Sequence, residues 1–388
     1  MHPNLVVGTA LWALLASPLF HPAQAAEKDP GGPIRVGAVS SLSGPTPFPE
    51  SSAAVRAYFD MVNASGGIKG RTLELVVEDD RGDPKQANRS AIRLIDDPRV
   101  VALVGSASIV DCTTNGADYQ AGGLMALQGT GVEPACFNAS HIVPVNTGPY
   151  LSFRNALQFA RGVLKSQRPC AFLFDIPGMR PAYEAMVERW QREDGRPLTL
   201  TRYFTPAEDP SALVRQATEA RCDAVVHTGV EPLVIVWVKA AQTQPALANV
   251  PMLFLTPAYT ERVATELSNA SMPLYAMAEF EPWSSRSPSL TDWRSVMQRG
   301  KVPLSSFSQG GYTAAQLFVR TLRGMDGEIT RTRVTEALRG VKDMELSMIG
   351  TRLSIGRETA HNPNRATLPM KLEQGRWRIA SPFWVVAP

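Results

Sequence analysis

The sequence predicts an α/β fold of two lobes, each a parallel sheet wrapped by helices. Three observations carry this reading. Short apolar runs with strand-compatible residues alternate with helical stretches, the rhythm breaks at a turn-rich segment over residues 141–148, and it then starts again. At 388 residues with 44% hydrophobic content, the chain is long enough for two cores of ordinary size.

The first βαβ unit is legible residue by residue. Residues 34–41 form an apolar strand-like run that ends in Ser43, Gly44 and Pro45, which break regular structure. Val55, Tyr58, Phe59 and Val62 recur at spacings of three and four, which predicts a helix over 51–63. Gly66 and Gly67 stop it, because glycine tolerates the left-handed cap conformation. A second strand follows over 73–79. Asp83 before Pro84 then marks a helix start: a carboxylate cap, followed by a residue that needs no amide hydrogen.

Further strands are expected at 100–105 and 124–127 in lobe one, and at 171–174, 200–204, 224–227, 252–255 and 275–280 in lobe two. Helices are expected between the later strands at 181–193, 210–220, 232–242 and 260–267. A polar, proline-flanked bridge at 281–288 leads to helices at 290–298, 309–323 and 331–338. Gln374 and Gly375 between alternating residues read as the turn of a β-hairpin.

Ser43-Gly44-Pro45, the run from Asn63 to Gly70 (Asn-Ala-Ser-Gly-Gly-Ile-Lys-Gly), Asp79-Asp80 and Asp83-Pro84-Lys85-Gln86-Ala87 resemble, without gaps, the branched-chain-amino-acid-binding (leucine-binding) family of type I periplasmic binding proteins. The resemblance implies a two-lobed fold with a three-stranded hinge. Lobe one would comprise 26–147 and 283–355, and lobe two 148–282 and 356–388, after a signal peptide at 1–25. It also implies an extracytoplasmic receptor for a small polar metabolite, an amino acid or a carboxylate-like compound. The receptor would be monomeric, need no cofactor and deliver its ligand to the membrane subunits of an ABC transporter. The alternative is a sensor of the same fold that feeds a signalling system.

Residues 5–20 are apolar and short, and Ala23-Gln24-Ala25 follows with the small-residue pattern of a signal-peptidase site. Export with cleavage near Ala25 or Ala26 is expected, giving a periplasmic protein without a lipid anchor; a buried N-terminal helix is the alternative. A net charge of +3 without basic runs interleaved with aromatics argues against a nucleic-acid partner. Four cysteines in an exported chain suggest pairing. Of three pairings, Cys112 with Cys136 and Cys170 with Cys222 are expected: the first pair lies on loops at one sheet edge, the second opens neighbouring strands. Four reduced, buried thiols are the other reading.

Ligands of open parallel sheets bind outside the carboxyl ends of the strands. In lobe one this selects Ser43 and Phe48, then Ser108 and Ile109 beside amides able to hold an anion, then Thr130 and Gly131. In lobe two it selects Met179, Gly229, Glu231 and Tyr259. His227 is the lone histidine at a strand end, and His141 and His361 fall on separate loops without metal-ligand spacing, so no metal is expected. No nucleophile elbow, P-loop or zinc-protease motif occurs, which argues against an enzyme.

The resemblance implies that a Ser and Thr set holds a ligand carboxylate in lobe one and an acidic residue holds its ammonium in lobe two. Here Ile109 stands at the serine position, Ala258 at the acidic position and Met179 where an aromatic ring would close the pocket. Glu231 either replaces the missing acid or only complements the positive end of its helix.

Overall fold

In the computed structural model, which describes residues 32–44 and 46–387, the strands form two sheets. The signal-peptide segment and Pro45 lie outside the described residues. The elements of the first half are β1 (Ile34–Ser40), α1 (Pro49–Ala64), β2 (Leu73–Asp79), α2 (Pro84–Asp96), β3 (Val100–Ala107), α3 (Asp111–Ala121), β4 (Ala126–Thr130), α4 (Pro134–Phe137) and β5 (Ile142–Pro144). Their sheet has the order β2-β1-β3-β4-β5 and every pair in it is parallel. Every residue of β3 is buried, as expected for a central strand covered on both faces.

The second half continues with α5 (Gly148–Gly162), β6 (Pro169–Phe174), α6 (Arg180–Asp194), β7 (Leu200–Phe204), α7 (Pro210–Glu219), β8 (Ala224–His227), α8 (Glu231–Ala241), β9 (Met252–Phe254), α9 (Glu261–Glu266) and β10 (Leu274–Ala278). After α10 (Thr291–Gly300), α11 (Ser306–Gly324) and α12 (Arg331–Arg339) come β11 (Ala366–Glu373), β12 (Arg376–Ile379) and β13 (Val385–Val386). The second sheet runs β12-β11-β10-β9-β8-β6-β7, parallel from β10 to β7. The hairpin β11–β12 extends it antiparallel, with Gln374 and Gly375 both at positive φ in the turn.

Local chemistry sets the helix ends. Asp83 accepts the Gln86 amide at 2.7 Å ahead of Pro84, Asp209 caps α7, and Ser305 and Ser308 form a reciprocal capping box on α11. Helices α10, α11 and α12 return to the first sheet. Gly310 and Gly311 of α11 make this return possible: a Cβ would lie 2.1 Å from Gly129 O and 2.0 Å from Ser51 O respectively. Arg331 of α12 pins the same lobe by donating to the carbonyls of Asp97, Val100 and Gly122.

Several elements differ from the sequence reading, among them α4 and β13, which were not expected. The turn-rich segment contains the short strand β5, which completes the first sheet, and it leads directly into α5, a helix not anticipated. Cys112 and Cys136 sit on α3 and α4 rather than on loops, and they are joined to each other. Cys170 on β6 is joined to Cys222 just before β8, and those two strands are adjacent.

Candidate functional site

The chain crosses between the sheets three times, and the crossings meet at Glu279, one residue past β10. Its buried carboxylate accepts the Asn146 Nδ2 at 3.3 Å and the Ser152 hydroxyl at 3.1 Å, together with the Gly148 amide. Its carbonyl accepts Asn364 Nδ2 at 2.9 Å. The first, second and third crossings are therefore tied through one side chain and its own backbone. Burial pushes this carboxyl up to about 7 against the pull of its hydrogen bonds. Glu279, Asn146 and Asn364 were absent from the sequence-derived candidates, because their partners are far apart in the chain.

The loop after β1 is pinned by two adjacent acids. Ser41 Oγ donates to Asp80 at 2.7 Å, and Ser43 Oγ to Asp79 at 2.6 Å, with the Leu42 and Ser43 amides also on Asp79. Burial raises the Asp79 carboxyl, but hydrogen bonds from Ser43, Arg81 and Leu42 outweigh it and hold the group below its ordinary value. The Ser43 hydroxyl is thus engaged by the end of β2. Phe48 is buried against Phe307 at the start of α11, with ring centroids 5.1 Å apart. It fills lobe one at this point.

The start of α3 is fully capped from inside the protein. Ser108 Oγ accepts the Val110 and Asp111 amides, each at 3.1 Å. Glu133 takes the next two, Cys112 at 2.8 Å and Thr113 at 3.2 Å. The expectation of free amides here is therefore corrected: a carboxylate 21 residues beyond Cys112 already occupies them. Burial pushes the Glu133 carboxyl up, while bonds from Thr113 and Cys112 oppose the rise. Gly131 donates its amide to Asn146 Oδ1 at 2.8 Å and accepts Asn146 Nδ2 at 3.0 Å, so its backbone serves the first crossing. Ile109 and Thr130 are half-buried, at the ends of the adjacent strands β3 and β4. Tyr150 of α5 donates to Val132 O at 3.2 Å, which places the loop after β4 against the second lobe.

The second sheet presents the same pattern. Met179 is buried at the start of α6. Gly229 donates its amide to His227 Nδ1 at 3.2 Å. His227 itself is enclosed by Phe204, Trp237 and Phe254, and burial pushes it down to about 3. Glu231 pairs with Arg262 at 3.1 Å in the first turn of α8. Tyr259 packs on Trp283 and Trp377, and its hydroxyl meets Ser284 Oγ at 2.7 Å. Ala258 is fully buried.

Once these internal bonds are counted, the half-exposed side chains at the strand ends are largely apolar: Ile109, Val110 and Val132 from the first sheet, Ile176 and Val230 from the second. Val132 and Ile176 were absent from the sequence-derived candidates. Two hollows elsewhere, of about 250 Å³ beside Arg154 and Trp190 and about 470 Å³ beside Arg56 and Asn63, lie at the opposite ends of the sheets. Cys112, Glu133 and Cys136 are the one potential metal-ligand group among the described residues, and the disulfide engages both sulfurs.

A family model described as periplasmic binding protein matches residues 33–376. The Leu/Ile/Val-binding protein of Escherichia coli (strain K12) is 28% identical over 164 residues, which is 41% of this chain and 40% of that protein, so the chain spans about 40% of the length of the curated relatives it matches. Two solved structures share the fold. The fatty acid ABC transporter substrate-binding protein from Thermomonospora curvata has a TM-score of 0.75 at 17% identity, covering 90% of this chain and 92% of that one. The branched-chain amino acid transporter substrate binding protein from Streptococcus pneumoniae, in complex with isoleucine, has a TM-score of 0.71 at 16% identity, covering 92% and 99%. With its two wound sheets and three crossings, the chain belongs to the periplasmic binding protein family.

Proposed function

We propose that this protein is an exported, monomeric receptor that captures a small metabolite between its two lobes and delivers it to the membrane subunits of an ABC transporter. The lobes are residues 26–147 with 283–355, and 148–282 with 356–388. The observation that carries the reading is the junction at Glu279, where three crossings meet between two sheets whose strand ends bear the candidate loops. Such a junction suits two bodies that rotate about a common axis, and a ligand bound to both selects the closed state. Two disulfides are consistent with an oxidising compartment. The similar proteins are named for binding rather than catalysis, and their ligands include isoleucine and fatty acids by name, so the fold alone does not select one.

A thermal-shift screen of amino acids, carboxylates and aromatic acids tests the proposal. A true ligand at about 100 times its dissociation constant adds about 2.7 kcal/mol of stability. A screen without a single stabilising compound contradicts the receptor reading.

A further inference from the structure

We propose that Glu133 is a built-in anion that fills the N-terminus of α3, so that the ligand presents an uncharged, apolar end to lobe one. The inference rests on the receptor reading and narrows its ligand.

The start of an eleven-residue helix attracts a carboxylate through its unpaired amides and the helix dipole. In α3 the opening amides are already taken, by the Ser108 hydroxyl and by both oxygens of Glu133. Glu133 is 8% exposed. It is held in place by Pro134, which starts α4, and by the Cys136–Cys112 disulfide that clamps α4 to α3. A ligand carboxylate arriving here would find no free amide at the start of α3 and would meet the Glu133 carboxylate, with buried Asp111 behind it. Two carboxylates sharing a low-dielectric site repel one another strongly. Arginines near the strand ends already face acids of their own: Arg81 with Asp79, Arg180 with Asp175, and Arg262 with Glu231. The surface that remains on lobe one is formed by Ile109, Val110 and Val132 with Thr130 beside them, a mostly apolar patch that favours an apolar or aromatic group.

The test uses the mature protein and three acid–amide pairs of equal shape: isovalerate and isovaleramide, benzoate and benzamide, phenylacetate and phenylacetamide. Calorimetric titration at neutral pH is expected to show each bound amide about tenfold tighter than its acid. Glu133→Gln, its fold checked by circular dichroism, is expected to narrow that ratio severalfold. An acid preferred over its amide by the native protein overturns the inference, and this holds whether or not the variant folds. An unchanged ratio in Glu133→Gln overturns the role of Glu133. Silence from every pair also overturns the inference, whereas the receptor reading falls only if the wider screen is silent as well.

Discussion

Replacing Glu279 by Gln should remove much of the protein's loss of stability between mildly acidic and neutral pH. The carboxyl is buried and pushed up from 4.5 to about 7, and its hydrogen-bonding partners Asn146, Ser152 and Gly148 are uncharged. A titratable neighbour that senses it is Tyr183, whose hydroxyl is itself raised by burial. The folded state therefore holds a proton that the unfolded chain releases. The resulting stabilisation is complete below about pH 4.5 and is lost as the pH rises through about 7. At 1.36 kcal/mol for each tenfold change in proton affinity, the full loss is about 3 kcal/mol. Urea unfolding of the native protein and Glu279→Gln at pH values on either side of this window measures the difference directly. The native protein should lose about 3 kcal/mol more than the variant across it. Parallel pH profiles would refute the reasoning, because they would mean that the carboxyl titrates alike in the folded and unfolded chains.

Three further outcomes are expected. His227 is held neutral by burial, at about 3 instead of 6.5, so its contribution is present above pH 6.5 and is lost as the pH falls toward 3. His227→Asn should flatten that acid limb by about 5 kcal/mol in the same unfolding assay. Gly311→Ala would push a methyl group to 2.0 Å from Ser51 O, and chemical denaturation should show a loss of about 1 to 3 kcal/mol from overpacking. Opening the Cys170–Cys222 bridge, which closes a separation of 52 residues, should cost about 4 kcal/mol by loop entropy, read by unfolding of the Cys170→Ser/Cys222→Ser double variant.

The alternation of strands and helices was readable because each element carried its own local signal. Asp83-Pro84 started α2, Gly66-Gly67 ended α1, and Gln374-Gly375 turned the hairpin. Helix α5 lacked such a signal. It is buried on nearly every side, so Ser152, Arg154 and Asn155 interrupt any apolar stripe, and its opening Gly148-Pro149 reads as a turn. At the candidate site the sequence selected loops at the carboxyl ends of the strands but did not reveal the state of their polar groups. Ser43, Ser108 and Glu231 are each satisfied within the protein, two of them by neighbours in their own lobe that no local spacing reveals. The capping of α3 by Glu133 and the joining of three crossings by Glu279 depend on tertiary contacts across 21 and 133 residues, beyond the reach of periodicity.

The most direct measurement of the central claim is the radius of gyration by small-angle X-ray scattering, taken with and without a saturating compound from the stabilisation screen. Closure of two lobes over a small molecule predicts a fall in the radius on binding. An unchanged radius, with the compound located by crystallography on the outer face of one lobe, would contradict it.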